Sequence, residues 1–351
     1  MGRGRETVVS RWRKELKTVG FQRVRCGGRV RLSSSGHMKK IIVTSEKAGN
    51  RIDKFLMEEV FLNLDKTRGE IIKHIKSGNI LVNNKIVKPS YLLKEGEEIK
   101  INIKKEKTEI VPNKNIKLEI IYQDKNIIVV NKPAGISVHP NDVEKENTLV
   151  NALVAFFPEI KNINDGSAGS WMRPGIVHRL DKDTSGAMVV AKNKKTFTEL
   201  KRKFAQREIE KNYVAVVYGH LEKKSGVVDA PIARSASFKK QKIARGKIKG
   251  TSRPAVTEYK LLKRYHDFDF VEALPKTGRM HQIRVHLAYL GNPIVGDAKY
   301  KRKDLKVPEG VVRQLLHAQK LKFKLFGKEF SFQAPLPVDF QRFLDEIGEK
   351  G

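Results

Sequence analysis

The sequence is short of cysteine, of long apolar runs and of acidic residues. Its 351 residues include one cysteine, Cys26, which excludes an intrachain disulfide and a zinc site built from cysteines. No run of about eighteen apolar residues occurs, so no segment is predicted to span a membrane. Because so little cysteine suits a reducing compartment, we expect a cytoplasmic protein.

The shortage of acids leaves a large positive charge. Lysine and arginine number 71 against 39 acidic residues, which gives a formal net charge of +32. Nucleic acids and anionic membranes attract so basic a protein. Membrane binding would require a basic amphipathic helix or a lipidation signal, and neither is evident. We therefore expect a nucleic-acid partner; the alternative is a lysine-rich surface that only maintains solubility.

The first 37 residues differ in composition from the rest. They hold eight arginines and only two acids, Glu6 and Glu15, whereas the following sequence is rich in Lys, Ile and Asn. Three explanations fit: a start codon assigned too early, with Met38 as the true start, an arginine-rich transit peptide, or a disordered RNA-binding arm. We favour the first. The remaining length suits two domains.

Residues 38–104 are predicted to form a small domain of helices and strands. One helix begins near Arg51 with Asn50 as its N-cap, and a second begins after Thr67 as its N-cap, with isoleucines at helical spacing. Gly78 ends the second helix. A hairpin with an Asn-Asn turn and a strand over 98–103 complete the unit.

This order of elements resembles the S4 RNA-binding domain. The matching segments are Arg51-Ile52-Asp53, 78–83 and 96–99. The resemblance implies that basic side chains of this domain grip structured RNA. The side chains expected to do so are those of Arg51, Arg68, Lys73 and Lys76. The alternative is a generic adaptor domain whose lysines are only solvated.

A linker and a second domain follow. Residues 105–115 are charged, contain Pro112 and lack periodicity, which predicts the linker. From residue 116 to 348 short strands and helices are predicted, and no internal repeat is present. The chemistry is therefore expected in this larger domain.

The densest group of reactive side chains lies between residues 175 and 186, just before the apolar run 187–191. A polar loop at the edge of a buried strand holds a catalytic group on a stiff yet accessible support. The acids from Asp181 onward match the start of a calcium loop, but its twelfth position is Lys192 instead of an acid. The run also fits loosely a phosphotransfer aspartate motif. That motif requires an apolar strand running directly into its first aspartate, and His178 and Arg179 interrupt the apolar residues here. A turn without function is the remaining alternative.

The run from His178 to Asp181, with Thr184-Ser185-Gly186, resembles the signature of the RluA family of pseudouridine synthases. Further family motifs occur in the family's order at 130–135, 138–140, 211–216, 277–287, 291–297 and 316–318. Several long motifs in one order are more specific than a single short pattern. With the S4 domain they are typical of the RluD and RluC branches. The resemblance implies an α+β fold whose catalytic domain has a mixed, largely antiparallel sheet and flanking helices.

The resemblance also implies a reaction, the isomerisation of uridine to pseudouridine in RNA after the base has been flipped out of its stack. It gives Asp181 the catalytic role, by attack on the sugar, attack on uracil C6 or removal of a ribose proton. Arg284 would form an ion pair with Asp181, Tyr213 would stack under the uracil, and Arg179 would fill the gap in the RNA. The structural alternatives are phosphate contacts for the two arginines and a core position for Tyr213.

Two more residues complete the predicted site: Leu316 supports the active site and Arg279 contacts RNA. No cofactor is expected, because the reaction transfers no electron, phosphate or methyl group. No metal site is expected either, since His281 and His286 have no acid or cysteine at ligand spacing. His281 and His286 are instead expected to order the loop beside Arg284, and His178 is expected to make a similar local hydrogen bond.

The expected substrate is large-subunit ribosomal RNA or an assembling particle, inferred from the RluD-like and RluC-like layout. No protein partner and no membrane association are predicted. One rival is a non-catalytic, ribosome-associated S4 RNA-binding factor, which would explain the charge but not the set of Asp181, Tyr213 and Arg284. A more distant rival, a base-excising glycosylase, would leave abasic sites and free uracil.

Overall fold

The computed structural model divides the chain into two compact units, with the boundary between residues 106 and 107. The residues that it describes are 39–61, 68–103, 109–141, 143–167, 169–235, 240–244 and 251–349. The predicted arginine-rich leader at 1–37, the predicted cap Thr67 and the start of the predicted linker lie outside them.

The first unit packs two helices on a three-stranded antiparallel sheet of order β1-β3-β2. Its strands are β1 (Lys39–Ile42), β2 (Ile80–Val82) and β3 (Glu98–Ile101). Its helices are α1 (Ile52–Phe55), which continues as a π-helical turn (Leu56–Val60), and α2 (Arg68–Lys76). Apolar side chains from both helices and all three strands form one core.

Local sequence signals account for most of this unit. Ile71 and Ile75, one helical turn apart, are fully buried. Asn83 and Asn84 have φ angles of 48° and 62°, the left-handed pair that a two-residue hairpin turn requires. Asparagine tolerates this conformation better than most residues.

Two boundaries of this unit were predicted wrongly. The N-cap of α1 is Arg51, because Asn50 is held in the preceding loop, where its side-chain amide donates to the Lys47 carbonyl at 3.3 Å. The final strand ends at Ile101 instead of residue 103. Ile101 pairs with Lys39 and Ile80, the first residues of the two neighbouring strands, so the ladder ends there.

The second unit is built on a nine-stranded sheet of order β4-β5-β6-β13-β7-β12-β11-β8, with β14 paired to β13. A separate two-stranded ribbon, β9–β10, accompanies it. The strands are β4 (Glu119–Gln123), β5 (Ile127–Lys132), β6 (Ser185–Ala191), β7 (Glu210–Tyr218), β8 (Ser225–Asp229), β9 (Ile232–Arg234), β10 (Gln241–Ile243), β11 (Val256–Arg264), β12 (Phe268–Pro275), β13 (Leu316–Leu325) and β14 (Lys328–Gln333). Only β6 and β13 pair in parallel among the described strands. The predicted mixed, largely antiparallel sheet is confirmed.

Helices cover this sheet. They are α3 (Leu149–Phe156), α4 (Lys194–Gln206), α5 (Gln282–Tyr289) and α6 (Val338–Glu349). Successive residues of β7 pack into different clusters, Ala215 with α5 and Val216 with α6, because side chains along a strand point alternately to its two faces. Within the described part of the chain, no helix combines the length and the apolar character needed to cross a membrane.

Candidate active site

Asp181 lies on the loop that leads into β6, which is buried along its whole length. The Thr184 N–H donates to the Asp181 carbonyl at 3.1 Å and closes a tight turn. Gly186 has a φ of 123°, and a Cβ at this position would collide with the backbone of Ala318 on β13. Glycine therefore allows the two parallel strands to approach, and their contact holds the Asp181 loop against the centre of the sheet.

A buried lysine fixes the same loop. Lys132, at the end of β5, is fully buried, and its Nζ donates to the carbonyls of Pro133 at 2.7 Å, Ile136 at 3.0 Å and Lys182 at 3.0 Å. Three acceptors match the three donors of an ammonium group. Burial lowers the pKa of Lys132 to about 7, although nearby carboxylates oppose the shift. Lys132 belongs to the family motif at 130–135, but its sequence context did not predict this role.

Arg284 of α5 forms an ion pair with Asp181, with 2.9 Å between Nη1 and the Asp181 Oδ2. The side chain of Arg284 is 5% exposed and that of Asp181 is 18% exposed. Burial alone would lower the pKa of Arg284, but the carboxylates of Asp297 and Asp181 raise it above its ordinary value. The guanidinium is therefore a permanent positive charge beside the Asp181 carboxylate.

Asp297 holds Arg284 from the other side. Its carboxylate accepts from Nε at 2.6 Å and from Nη2 at 2.8 Å, and it is fully buried. The backbone N–H groups of Lys299 and Tyr300 also donate to Asp297, which fixes the carboxylate in place. This bidentate pair leaves Nη1 aimed at Asp181. Asp297 is the last residue of the family motif at 291–297, and its sequence context did not predict this role.

A cavity of about 430 Å³ opens beside Asp181. Tyr213 of β7 and Leu316 of β13 line it together with Arg284 and Arg179, so the structure brings all four predicted support residues to this cavity. Burial, with the negative charge of Asp181, raises the pKa of Tyr213 above its ordinary value, so the phenol stays neutral. The cationic lining residues are Arg179, Arg207, Lys211, Lys276, Arg279 and Arg284, and Asp181 is the one acid among the described residues that line the cavity. Such a pocket suits a polyanion.

Arg179 and Arg279 differ in how firmly they are held. Arg179 is exposed, lines the cavity, and has no hydrogen-bond or ion-pair partner among the described residues. Arg279 donates from Nε to the Pro254 carbonyl at 3.0 Å. Arg179 is therefore free to reorient toward a ligand, whereas Arg279 is anchored at the rim.

The histidines near the site make local hydrogen bonds. The Val189 N–H donates to Nε2 of His178 at 3.0 Å, and the His178 ring stacks on Phe204. His281 lies 2.7 Å from the Tyr300 hydroxyl. His317 lies 2.9 Å from the Ser185 hydroxyl. Across the described residues no group of three or more His, Cys, Asp and Glu side chains could hold a metal ion.

Burial of three histidines, His139, His281 and His317, predicts that the folded protein loses stability at acidic pH. It lowers the pKa of His317 to about 4, as it does for His139 and His281. Below pH 6.5 the unfolded chain takes up protons that the folded chain refuses, so the free energy of unfolding falls as the pH drops from about 6.5 to 4. Each histidine contributes a slope of about 1 kcal/mol per pH unit.

Urea unfolding between pH 7.5 and 5 tests this prediction. The slope of unfolding free energy against pH should be shallower in His317→Gln than in the wild type by about 1 kcal/mol per pH unit. The exposed His266 offers a matched control, His266→Gln. Equal slopes in the wild type and His317→Gln would show that His317 does not contribute.

In the first unit the predicted RNA-binding arginines share a buried acid. Arg51 and Arg68 both bind Asp53, with Nη2 to Oδ2 distances of 3.0 and 2.8 Å. Asp53 is fully buried, while the arginine side chains stay about half exposed. Lys73 and Lys76 are exposed on α2. The two arginines therefore have a structural partner that the sequence analysis did not assign.

Two family models match the chain. A model of RNA pseudouridylate synthases matches residues 126–289, which include Asp181, Tyr213 and Arg284. A model of the S4 domain matches residues 50–99. The larger match lies within the unit that contains the cavity, and the smaller one within the first unit.

Individual relatives agree with these matches. An uncharacterised RNA pseudouridine synthase of Bacillus subtilis is 35% identical over 313 residues, which are 89% of this chain and 98% of the relative. Ribosomal large subunit pseudouridine synthase D of Xanthomonas campestris is 35% identical over 325 residues, 89% of this chain and 93% of the relative. The solved structure of human RNA pseudouridylate synthase domain containing 4 superposes with a TM-score of 0.53 at 28% identity, covering 66% of this chain and 93% of the human chain.

Proposed function

Because the chain belongs to the RNA pseudouridine synthase family, we propose that it isomerises uridines of large-subunit ribosomal RNA and that Asp181 is its catalytic residue. Family membership makes the chain an RNA pseudouridine synthase with an S4 RNA-binding domain. The proposal adds the substrate and the catalytic group. Its main support is the Asp181 carboxylate, bonded to Arg284 at 2.9 Å beside a cavity lined by cations.

The isomerisation needs few functional groups from the protein. The bond between uracil N1 and the sugar breaks, the base turns, and a bond forms between C5 and the sugar, with loss of the C5 proton. Each of the three routes, through the sugar, uracil C6 or a ribose proton, needs an ionised carboxylate at the junction of base and sugar. Arg284 places a positive charge 2.9 Å from this carboxylate. The walls of the cavity would keep the detached uracil in place.

Base flipping brings the uridine to Asp181. Extruding a stacked nucleotide costs roughly a few kcal/mol. Arg179 is exposed at the cavity and has no partner among the described residues, so its guanidinium can enter the gap in the RNA. The S4 unit, through Arg51, Arg68, Lys73 and Lys76, and Arg279 at the rim would add contacts to the RNA backbone.

Tyr213 is expected to hold the uracil by stacking. Stacking of a base on an aromatic ring is worth about 1–3 kcal/mol, so Tyr213→Ala should lower kcat/KM by about 10- to 100-fold. Tyr213→Phe keeps the ring and, because the hydroxyl has no hydrogen-bond partner among the described residues, should stay within about threefold of the wild type. Steady-state measurement of kcat/KM for the wild type and both variants on the same RNA tests this prediction. An equal loss in both variants would give the role to the hydroxyl group.

The substrate class follows from the relatives and the charge. The Xanthomonas campestris relative bears the name of a ribosomal large subunit pseudouridine synthase and matches both units of this chain. The net charge of +32 suits a heavily structured polyanion. Activity on ribosomal RNA also suggests the cytoplasm as the working compartment.

Tritium release tests the proposal. Loss of the C5 proton frees tritium from RNA that carries 5-tritiated uridine, so the full chain is incubated with labelled large-subunit and small-subunit ribosomal RNA. We expect release from the large-subunit RNA at a few sites, and none with Asp181→Asn. Release from neither RNA, or equal release from both, would contradict the proposed substrate. Free uracil in the supernatant would indicate a glycosylase.

A further inference from the structure

A second cavity adjoins the first at Asp181. Its volume is about 290 Å³. Five residues line both cavities: Arg179, Leu180, Asp181, His281 and Arg284. The remaining wall includes the loop at 137–141, Lys182, Asp183 and Lys299. A nucleotide that is bound in the larger cavity would therefore lie beside the smaller one.

Two of the cations that line the second cavity have no acidic partner. Its cationic residues are Arg179, Lys182, Arg284 and Lys299, and its acids are Asp181 and Asp183. Arg284 is paired with Asp181 and Asp297, and Lys182 has Glu144 at 3.5 Å. The ammonium of Lys299 has no acidic partner among the described residues, and neither has Arg179. These two unpaired cations can bind an anionic group of a ligand.

A side chain that lines the cavity also has an unsatisfied polar atom. Nδ1 of His139 has almost no accessible area and no hydrogen-bond partner in the described part of the chain. Buried polar atoms are nearly always hydrogen-bonded, and a turn of the ring toward the cavity would give Nδ1 a partner on a bound ligand. The Ser137 hydroxyl lines the same wall, where it accepts from the Asn141 amide at 3.4 Å and keeps its own proton to donate. Two neutral donors thus accompany the two cations, Lys299 and Arg179.

We propose that this second cavity binds the phosphodiester group of the nucleotide next to the target uridine. The inference rests on the proposed function, since a uridine flipped into the larger cavity brings its neighbouring backbone to Arg179. A phosphate has acceptors only, so it would accept hydrogen bonds from His139 and Ser137 and form an ion pair with Lys299. Contacts to a phosphate fix the register of the strand and are independent of base identity. The second cavity would therefore set which nucleotide reaches Asp181.

Methylphosphonate scanning tests the inference. A synthetic RNA hairpin with one loop uridine is made in several versions, each with a neutral methylphosphonate in place of one phosphate near the uridine. The Kd of each is measured for the full-length wild type, Lys299→Ala and His139→Ala. Lys322→Ala, an exposed lysine of β13 that lines neither cavity, is the control. The S4 unit contributes equally in every arm and cancels in the comparison.

We expect one phosphate next to the uridine whose neutralisation weakens wild-type binding about tenfold. For Lys299→Ala, the same change should weaken binding by less than about twofold, because the charge pair is already lost. His139→Ala should show the same coupling at that phosphate, and Lys322→Ala should lose about tenfold like the wild type. Full tenfold losses in Lys299→Ala, or no phosphate with a selective loss, would overturn the inference. Tritium release from ribosomal RNA is scored separately, so its failure would count against the proposed function alone.

Discussion

Asp181→Asn should lower the rate of pseudouridine formation by about 10³-fold or more, because the amide can neither attack nor remove a proton. The substitution preserves the shape of the side chain. RNA affinity comes mainly from phosphate contacts elsewhere, so the Kd should change by less than about threefold. Single-turnover tritium release and filter binding on the same RNA measure the two quantities.

The loop provides a matched control for this variant. Asp183 lies two residues from Asp181 on the same loop and lines only the second cavity. Asp183→Asn removes the same charge from the same segment and should cost less than about tenfold in rate. Equal losses in the two variants would show that the loop needs negative charge in general, and the specific role of Asp181 would be lost.

Arg284→Ala should lower kcat by about 10² to 10³-fold while the Kd for RNA changes by less than about threefold. The guanidinium contacts Asp181 and Asp297 and is almost fully buried, so its charge acts on the Asp181 carboxylate. An equal loss of turnover and affinity would instead indicate a phosphate contact. Because the alanine leaves buried Asp297 without its partner, the unfolding transition of the variant has to be measured beside its kinetics.

Two further variants separate charge from folding. Arg284→Lys keeps the charge but loses the bidentate pair with Asp297, so its turnover should lie between the wild type and Arg284→Ala. Asp297→Asn leaves Arg284 in place but loosens its aim, and should lower kcat by about tenfold with little change in Kd. The exposed acid Asp304 supplies the control Asp304→Asn, which should resemble the wild type.

Much of the fold follows from local patterns. Apolar residues at 187–191 predicted a buried strand, and β6 is buried throughout. Helical spacing identified Ile71 and Ile75 as core residues. Strand ends were less predictable, because β3 ends where its neighbours β1 and β2 begin, a property of three segments distant in sequence.

The site was predictable only in part, and the reason is physical. The resemblance to the RluA family singled out Asp181, Tyr213 and Arg284, which the structure brings to one cavity. Lys132 and Asp297 were missed because charged residue types usually lie at the surface, and nothing local marks them as buried. One acceptor of Lys132, the Lys182 carbonyl, lies 50 residues away in the chain, and Arg284, the partner of Asp297, lies 13 residues away. Arg51 and Arg68 were predicted to contact RNA, and their ion pairs with Asp53 were missed because nothing local marks Asp53 as buried.

The most direct test of the central claim uses a strain that lacks this protein. Pseudouridines in its large-subunit ribosomal RNA are mapped after complementation with the wild-type chain, with Asp181→Asn or with an empty vector. We predict that specific pseudouridines disappear in the deletion strain, return with the wild-type chain, and stay absent with Asp181→Asn expressed at the same level. Their return with Asp181→Asn, or an unchanged map in the deletion strain, would contradict the account.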